Sequence, residues 1–352
     1  MDYETISFII YKRLREKDEH VINTKITYDY YNRFWIYVKL LYDKGVLKTQ
    51  RDINQLCNKL QLGKEYNLEK YFQGISEMIF WIYACNQKLE FEMDKKLRED
   101  NNHDVDLQIK KGGYIFNIEI KCPQFINLTN KDTLNLNFPF RSVDKEVLNN
   151  EMKILRSDYL QKILDDSDGK YKEIKPQKIN DNKVIEYLRS CQDKFVYGGE
   201  KSINVLVISL QSSEMQDYWG YMYNRYTGIF TNGFKNKFTD KGGNVVNHSD
   251  FDKIDVVYIT NIVSGHIKVN DKFDSWSLNT YCNLLCINPF SFKRTKKNNV
   301  SNYDELFLLL PNDNLKFEEG LEKCQLEGKK IGKPLDAIYL LEYIYDYYKL
   351  LR

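Results

Sequence analysis

Residues 68–86, LEKYFQGISEMIFWIYACN, are apolar around nearly the whole circumference of a helix. Such a helix must be enclosed by other elements rather than laid on a surface. Its longest unbroken apolar run, Met78 to Cys85, is far below the roughly 20 residues of a membrane span, so the chain has to build protein layers around it. The next segments supply them. Leu89–Met93 alternates apolar and acidic residues, which predicts a half-buried strand. Val105–Ile109 alternates again, Lys110-Lys111-Gly112-Gly113 reads as a turn with glycine at positive φ, and Tyr114–Lys121 is a third strand. The order is helix, strand, strand, strand, the last two forming a hairpin.

The flanking regions read more coarsely. Tyr28–Tyr42 is an aromatic and Leu-rich helix ended by Gly45, and Thr49 is placed to cap a second helix over Gln50–Leu60. Two helices joined by a short turn are either a structural pair or a DNA-reading helix-turn-helix. Val143–Leu164 and Val184–Gln192 are predicted helices, with the polar stretch DDSDGKYKEIKPQK between them as a loop. Ile203–Leu210 is a continuous apolar run, as a strand buried on both faces requires. Val256–Thr260 and Leu284–Pro289 read as further strands, and Leu335–Leu351 as a final helix.

Strand parity gathers the chemistry. Phe116, Ile118 and Ile120 point one way on the third strand, and Asn117, Glu119 and Lys121 the other. Val105, Leu107 and Ile109 share the apolar face of the second strand, with Asp104, Asp106 and Gln108 opposite. Pairing the two through the turn places Asp106, Glu119 and Lys121 on one surface. Two carboxylates and an ammonium suit a hard cation that takes oxygen ligands and keeps water for a phosphate. Asp104 shares the face and is the alternative ligand; Asp106 is preferred because Leu-Gln-Ile follows it into the hairpin. The expected core is Leu107, Ile109, Phe116, Ile118, Ile120, Ile79 and Val205.

Asp106, a hairpin, and then Glu119-Ile120-Lys121 thirteen residues on resembles the PD-(D/E)xK nuclease superfamily, over about residues 68–210. The preceding Pro of that motif is replaced by Val105. The resemblance implies an α/β protein with a restriction-endonuclease-like αβββαβ core over residues 67–212. An N-terminal helical region (1–66) and a C-terminal α/β elaboration (213–352) would flank it. It implies a Mg²⁺-dependent endonuclease, with Mn²⁺ as substitute, hydrolysing DNA, double-stranded DNA favoured, in restriction or other anti-phage defence. Asp106, Glu119 and the Ile120 carbonyl would hold the metal, Lys121 would serve the attacking water, and Glu77, inside the apolar helix, would support the metal or its waters. The chain's other such strings, Glu173-Ile174-Lys175 in the expected loop and Asp94-Lys95-Lys96 without a preceding hairpin, lack that context. The rival is a non-catalytic nucleic-acid-binding module on the same scaffold.

With 52 Lys+Arg against 50 Asp+Glu over 352 residues the net charge is only +2, so DNA must be gripped by local basic surface. Candidates are Lys110 and Lys111 at the turn, Lys235 and Lys237 between phenylalanines, and Lys293, Arg294, Lys296 and Lys297 in a compact basic run. A homo-oligomer or a partner subunit is compatible with the pattern. Seven scattered cysteines and four separated histidines give no zinc pattern, and the first residues lack a secretory signal, so a cytoplasmic protein with reduced thiols is expected.

Overall fold

The computed structural model describes residues 1–16, 18–24, 28–63, 66–100, 103–123, 133–137, 146, 150, 153, 161–166, 173–177, 181–223, 228–231, 245–267, 269, 273–296 and 303–316. Four helices come first: α1 (Tyr3–Leu14), α2 (Val21–Thr24), α3 (Tyr28–Asp43) and α4 (Gln50–Lys59). Gly45, at φ 75°, ends α3. The Thr49 hydroxyl and the Asp52 carboxylate form a reciprocal capping box that starts α4. The apolar helix α5 (Leu68–Asn86) follows, buried from Tyr71 to Cys85 except at Gln73.

The strands β1 (Glu90–Lys96), β2 (Asp104–Lys111) and β3 (Tyr114–Lys121) pair antiparallel in sequence order. Gly112 and Gly113 close the β2–β3 hairpin at φ 58° and 78°, the paired positive values of the tight turn that matches strand twist. Strands β4 (Thr133–Asn137) and β5 (Glu173–Gln177) form a separate parallel pair, with α6 (Gln161–Asp165) between them. Residues 173–177 were expected in a loop; backbone pairing to β4 makes them a strand instead, a partner that no local alternation announces. Of the helix expected over Val143–Leu164 only α6 is a described element.

Helix α7 (Asp181–Lys194) leads to β6 (Ser202–Ser209), which lies parallel to β3. After α8 (Met215–Tyr223), β7 (Val256–Thr260) adds parallel to β6. After α9 (Ile262–Ile267), β8 (Asn283–Ile287) adds antiparallel to β7. Two short helices end the described chain, α10 (Phe292–Lys296) and α11 (Asp304–Leu309). The sheet order is β1-β2-β3-β6-β7-β8, so β2 and β8 run against the other four. The expected final helix at Leu335–Leu351 lies outside the described residues. No described helix is long and apolar enough to cross a membrane.

The sheet is covered on both faces. Leu107, Ile109, Phe116, Ile118, Ile120, Val205 and Val207 pack against α5 and, behind it, α1, α3 and α4. Leu206, Ile208, Val257 and Ile259 pack against α7 and α8. All seven expected core residues are fully buried. The N-terminal helix pair is therefore part of the core, its Phe34, Val38, Leu41, Ile53 and Leu56 buried in it.

Parity breaks at one place. Val105 joins the cluster on the α7 side, while Leu107 and Ile109 face α5. The pairing of β1 with β2 steps from Met93↔Leu107 to Lys95↔Val105 over Asp94 and Asp106. Asp94 there holds φ at 46°, a left-handed conformation that rotates the strand and costs about 1–3 kcal/mol in a non-glycine residue. The β2–β3 pairing also stops at Leu107↔Ile118. The two strands separate where Asp106 begins.

Gly74 sits inside α5 because α4 crosses there. A Cβ at Gly74 would lie 2.0 Å from the Lys59 carbonyl oxygen and 2.4 Å from its carbon. Gly74→Ala would ordinarily favour a helix by up to about 1 kcal/mol. Here it is expected to destabilise by roughly 1–3 kcal/mol through overpacking, read as a lower denaturant midpoint.

Candidate active site

The site lies at the open end of the β2–β3 hairpin, where the strands diverge. The Ile120 amide donates to Asp106 Oδ2 at 2.7 Å, so the Asp106 side chain fills the fork that the separating backbones leave. Glu119 projects to the α7 side and is 1% exposed. Its Oε1 accepts from Lys121 Nζ at 2.7 Å and from Lys194 Nζ, at the end of α7, at 2.6 Å. Lys194 also donates to the Asp104 carbonyl at 2.9 Å. Glu119 Oε2 is buried without a hydrogen-bond partner.

Glu77 reaches the same region from α5. Its Oε2 pairs with Lys59 Nζ at 2.5 Å and its Oε1 accepts from Gln73 Nε2 at 2.9 Å. Gln73 Nε2 also donates to the Ile120 carbonyl at 2.7 Å. Lys59 Nζ lies 3.3 Å from Asp94 Oδ1, and Gln55 donates to Asp94 Oδ2. Asp106 thus has Glu77 on one side and Glu119 on the other.

That position decides its protonation. Removal from water, then repulsion from Glu77 and Glu119, push the Asp106 carboxyl well above the usual carboxylate range, against the Ile120 amide and Lys194. Lys121 is raised: burial lowers it, but the Glu119 carboxylate more than offsets that. The folded state then holds a proton on Asp106 at pH values where the unfolded chain, at about 3.9, has released it. The folded state binds more protons in that window, so stability falls as pH rises from about 4 toward the folded value. In EDTA, Asp106→Asn, which keeps an oxygen for the Ile120 amide, is expected to melt higher than the parent at neutral pH. Its midpoint should also vary less between pH 4 and 8. A lower midpoint at neutral pH would contradict the repulsive setting.

One ladder beside the site fixes the strands. Gln108 Nε2 donates to Asn117 Oδ1, and Asn117 Nδ2 to Asn204 Oδ1, both at 2.8 Å. Asn204 in turn takes Asp255 into the chain through its backbone amide, at 2.9 Å. A buried polar network with each member paired holds β2, β3 and β6 in register next to Glu119.

The sequence candidates distribute unevenly. Asp106, Glu119, Lys121, Glu77 and Ile120 come together. Asp104 is exposed and contributes its carbonyl, which favours Asp106 as the ligand. Lys110 and Lys111 are at the turn end of the hairpin, four and five residues from Asp106 along β2 and so roughly 15 Å from the site. Lys110 pairs with Glu90 and Glu92 at 3.0 and 3.3 Å, whereas Lys111 is exposed.

Lys293 is not the exposed phosphate ligand expected of it. It is 6% exposed, pairs with Asp255 Oδ2 at 2.9 Å and donates to the Ser202 carbonyl. A buried aspartate that needed a cation explains its place. Arg294 lies over the Tyr303 ring. Lys235, Lys237, Lys297 and the Lys296 side chain lie outside the described residues.

Lys59, Gln73, Asp94 and Lys194 were missed. Gly74 within an apolar helix signalled a close approach, and Gln73 stands one turn from Glu77, but neither names its partner across 15 or more residues. Lys194 falls two residues beyond the expected end of its helix.

Among the described residues no group of three or more His, Cys, Asp or Glu side chains is placed to hold a metal ion. A hard cation bound through two carboxylates, a carbonyl and water needs no third. Here the buried Glu119 Oε2 lacks a partner, the half-buried Asp106 is short of positive charge, and the Ile120 carbonyl has a second lone pair. These groups fit. Comparison of the chain with protein-family models, curated proteins and solved structures gives no match.

Proposed function

We propose that this protein is a metal-dependent nuclease of the PD-(D/E)xK type that hydrolyses DNA phosphodiester bonds. The observation that carries the reading is the Glu119 carboxylate, buried with one oxygen held by two lysines and the other unpartnered, beside the Asp106 carboxyl that burial and the neighbouring carboxylates push up. An unpaired carboxylate oxygen out of water is costly unless something binds it. With the inserted β4-α6-β5 set aside, the order α5-β1-β2-β3-α7-β6, with β2 antiparallel and β6 parallel to β3, supports a restriction-endonuclease-like core.

Asp106, Glu119 and the Ile120 carbonyl would hold Mg²⁺ or Mn²⁺. The ion would supply Lewis-acid stabilisation of phosphoryl charge and lower the pKa of a bound water. Lys121 directs the attacking water and offsets the charge that develops on the phosphate oxygens. Lys194 holds Glu119 from the helix side, so the carboxylate keeps its position when Lys121 turns to substrate. A role in restriction or other anti-phage defence rests on analogy of fold.

The test is a Mg²⁺ titration of cleavage on supercoiled plasmid, linear duplex, single-stranded DNA and RNA, with Glu119→Ala in parallel. Metal-dependent cleavage of DNA by the parent alone is expected. If parent and variant are equally inactive on every substrate while DNA is still bound, the protein is the non-catalytic binding module instead.

A further inference from the structure

We propose that the Lys59 ammonium permanently fills the place of a second divalent cation, so that the site takes one metal ion where its carboxylates alone would take two. This rests on the nuclease reading and specifies its metal stoichiometry.

The two sides of Asp106 differ. On the α7 side both lysines share Glu119 Oε1 and leave Oε2 to a cation. On the α5 side every oxygen of Glu77 and Asp94 already has a side-chain partner. Glu77 gives one oxygen to Lys59 and the other to Gln73, and Asp94 gives one to Lys59 and the other to Gln55. Lys59 therefore sits between two acidic side chains, with Asp106 close enough to add to its charge stabilisation. Opposite charges within about 4–6 Å of an amine keep it charged.

This ammonium is built in rather than settled by chance. Lys59 is the last residue of α4, and its carbonyl passes so close to α5 that position 74 has room only for glycine. The side chain is 21% exposed and also lies 5.7 Å from the centre of the Trp81 ring. The close crossing delivers it next to Glu77, one turn along α5. An ammonium offers three donors at a fixed point and cannot be washed out by a chelator. It keeps Glu77 and Asp94 neutralised and leaves the Asp106–Glu119 side to the exchangeable ion.

The test counts Mn²⁺ on the full chain, by calorimetry and by electron paramagnetic resonance. The parent should bind one Mn²⁺ with an isolated six-line spectrum. Lys59→Met should bind two, the added ion broadening the spectrum by coupling, and Lys59→Met with Glu77→Gln should return to one. Lys59→Arg should stay at one. Lys59→Gln serves as a second charge-removing variant if Lys59→Met melts too early. Two ions in the parent, or one ion in both charge-removing variants, would overturn the inference and leave the nuclease reading standing. No ion in the parent would overturn both.

Discussion

Ile118→Asp is expected to leave no folded protein at 25 °C. Ile118 is fully buried at the centre of a row that crosses all six strands: Met93, Leu107, Ile118, Val205, Val256 and Ile287 are register partners from β1 to β8. They face α5 together. An aspartate there loses about 1.5–3 kcal/mol of apolar burial and adds an unpaired charge with no donor in reach. A cost on the order of 5 kcal/mol or more is a large part of the roughly 5–15 kcal/mol by which domains are stable. Ile115→Asp is the control. Ile115 is 37% exposed near the hairpin turn, so its variant should keep a cooperative thermal transition. If Ile118→Asp melts like the parent, the inward face of β3 has been assigned to the wrong residues.

The second large effect is on turnover. Lys121→Ala is expected to reduce cleavage by roughly 10²–10⁴-fold, the range for a positioned proton-transfer or charge-stabilising group, with the thermal midpoint within a few degrees of the parent. The fold survives because Glu119 retains Lys194. Single-turnover rates at saturating DNA separate this from weakened binding. Equal loss of rate and of DNA affinity would make Lys121 a phosphate anchor rather than a group acting on the water.

Much of this was legible in the chain. Apolar periodicity at 68–86, alternation at 105–109 and 114–121, and two adjacent glycines specify a helix, a hairpin and its inward face, because those signals are local and the burial they imply is strong. Three features were not legible. Val105 packs on the opposite face from Leu107, beside the left-handed Asp94 of the neighbouring strand, and alternation within β2 carries no trace of that. Strand β5 exists through pairing with a segment some forty residues earlier. Lys293 reads as part of a basic run, yet the unshared charge of Asp255 draws it inside. Of the site, the Asp106, Glu119 and Lys121 pattern was visible from spacing and parity. Lys59 and Lys194 were not, since both arrive from helices whose contacts are set by packing.

The most direct measurement is the effect of Mg²⁺ on the thermal midpoint of the parent and of Glu119→Gln. Glutamine keeps the side-chain volume and an oxygen for Lys121 and Lys194 but removes the charge that would bind the ion. A ligand held only by the folded state stabilises it by about 2.7 kcal/mol at a hundredfold excess over its dissociation constant. The parent midpoint should therefore climb with Mg²⁺ and that of Glu119→Gln should stay flat. Identical responses of the two proteins to Mg²⁺, or none in either, would contradict a cation site at Asp106 and Glu119.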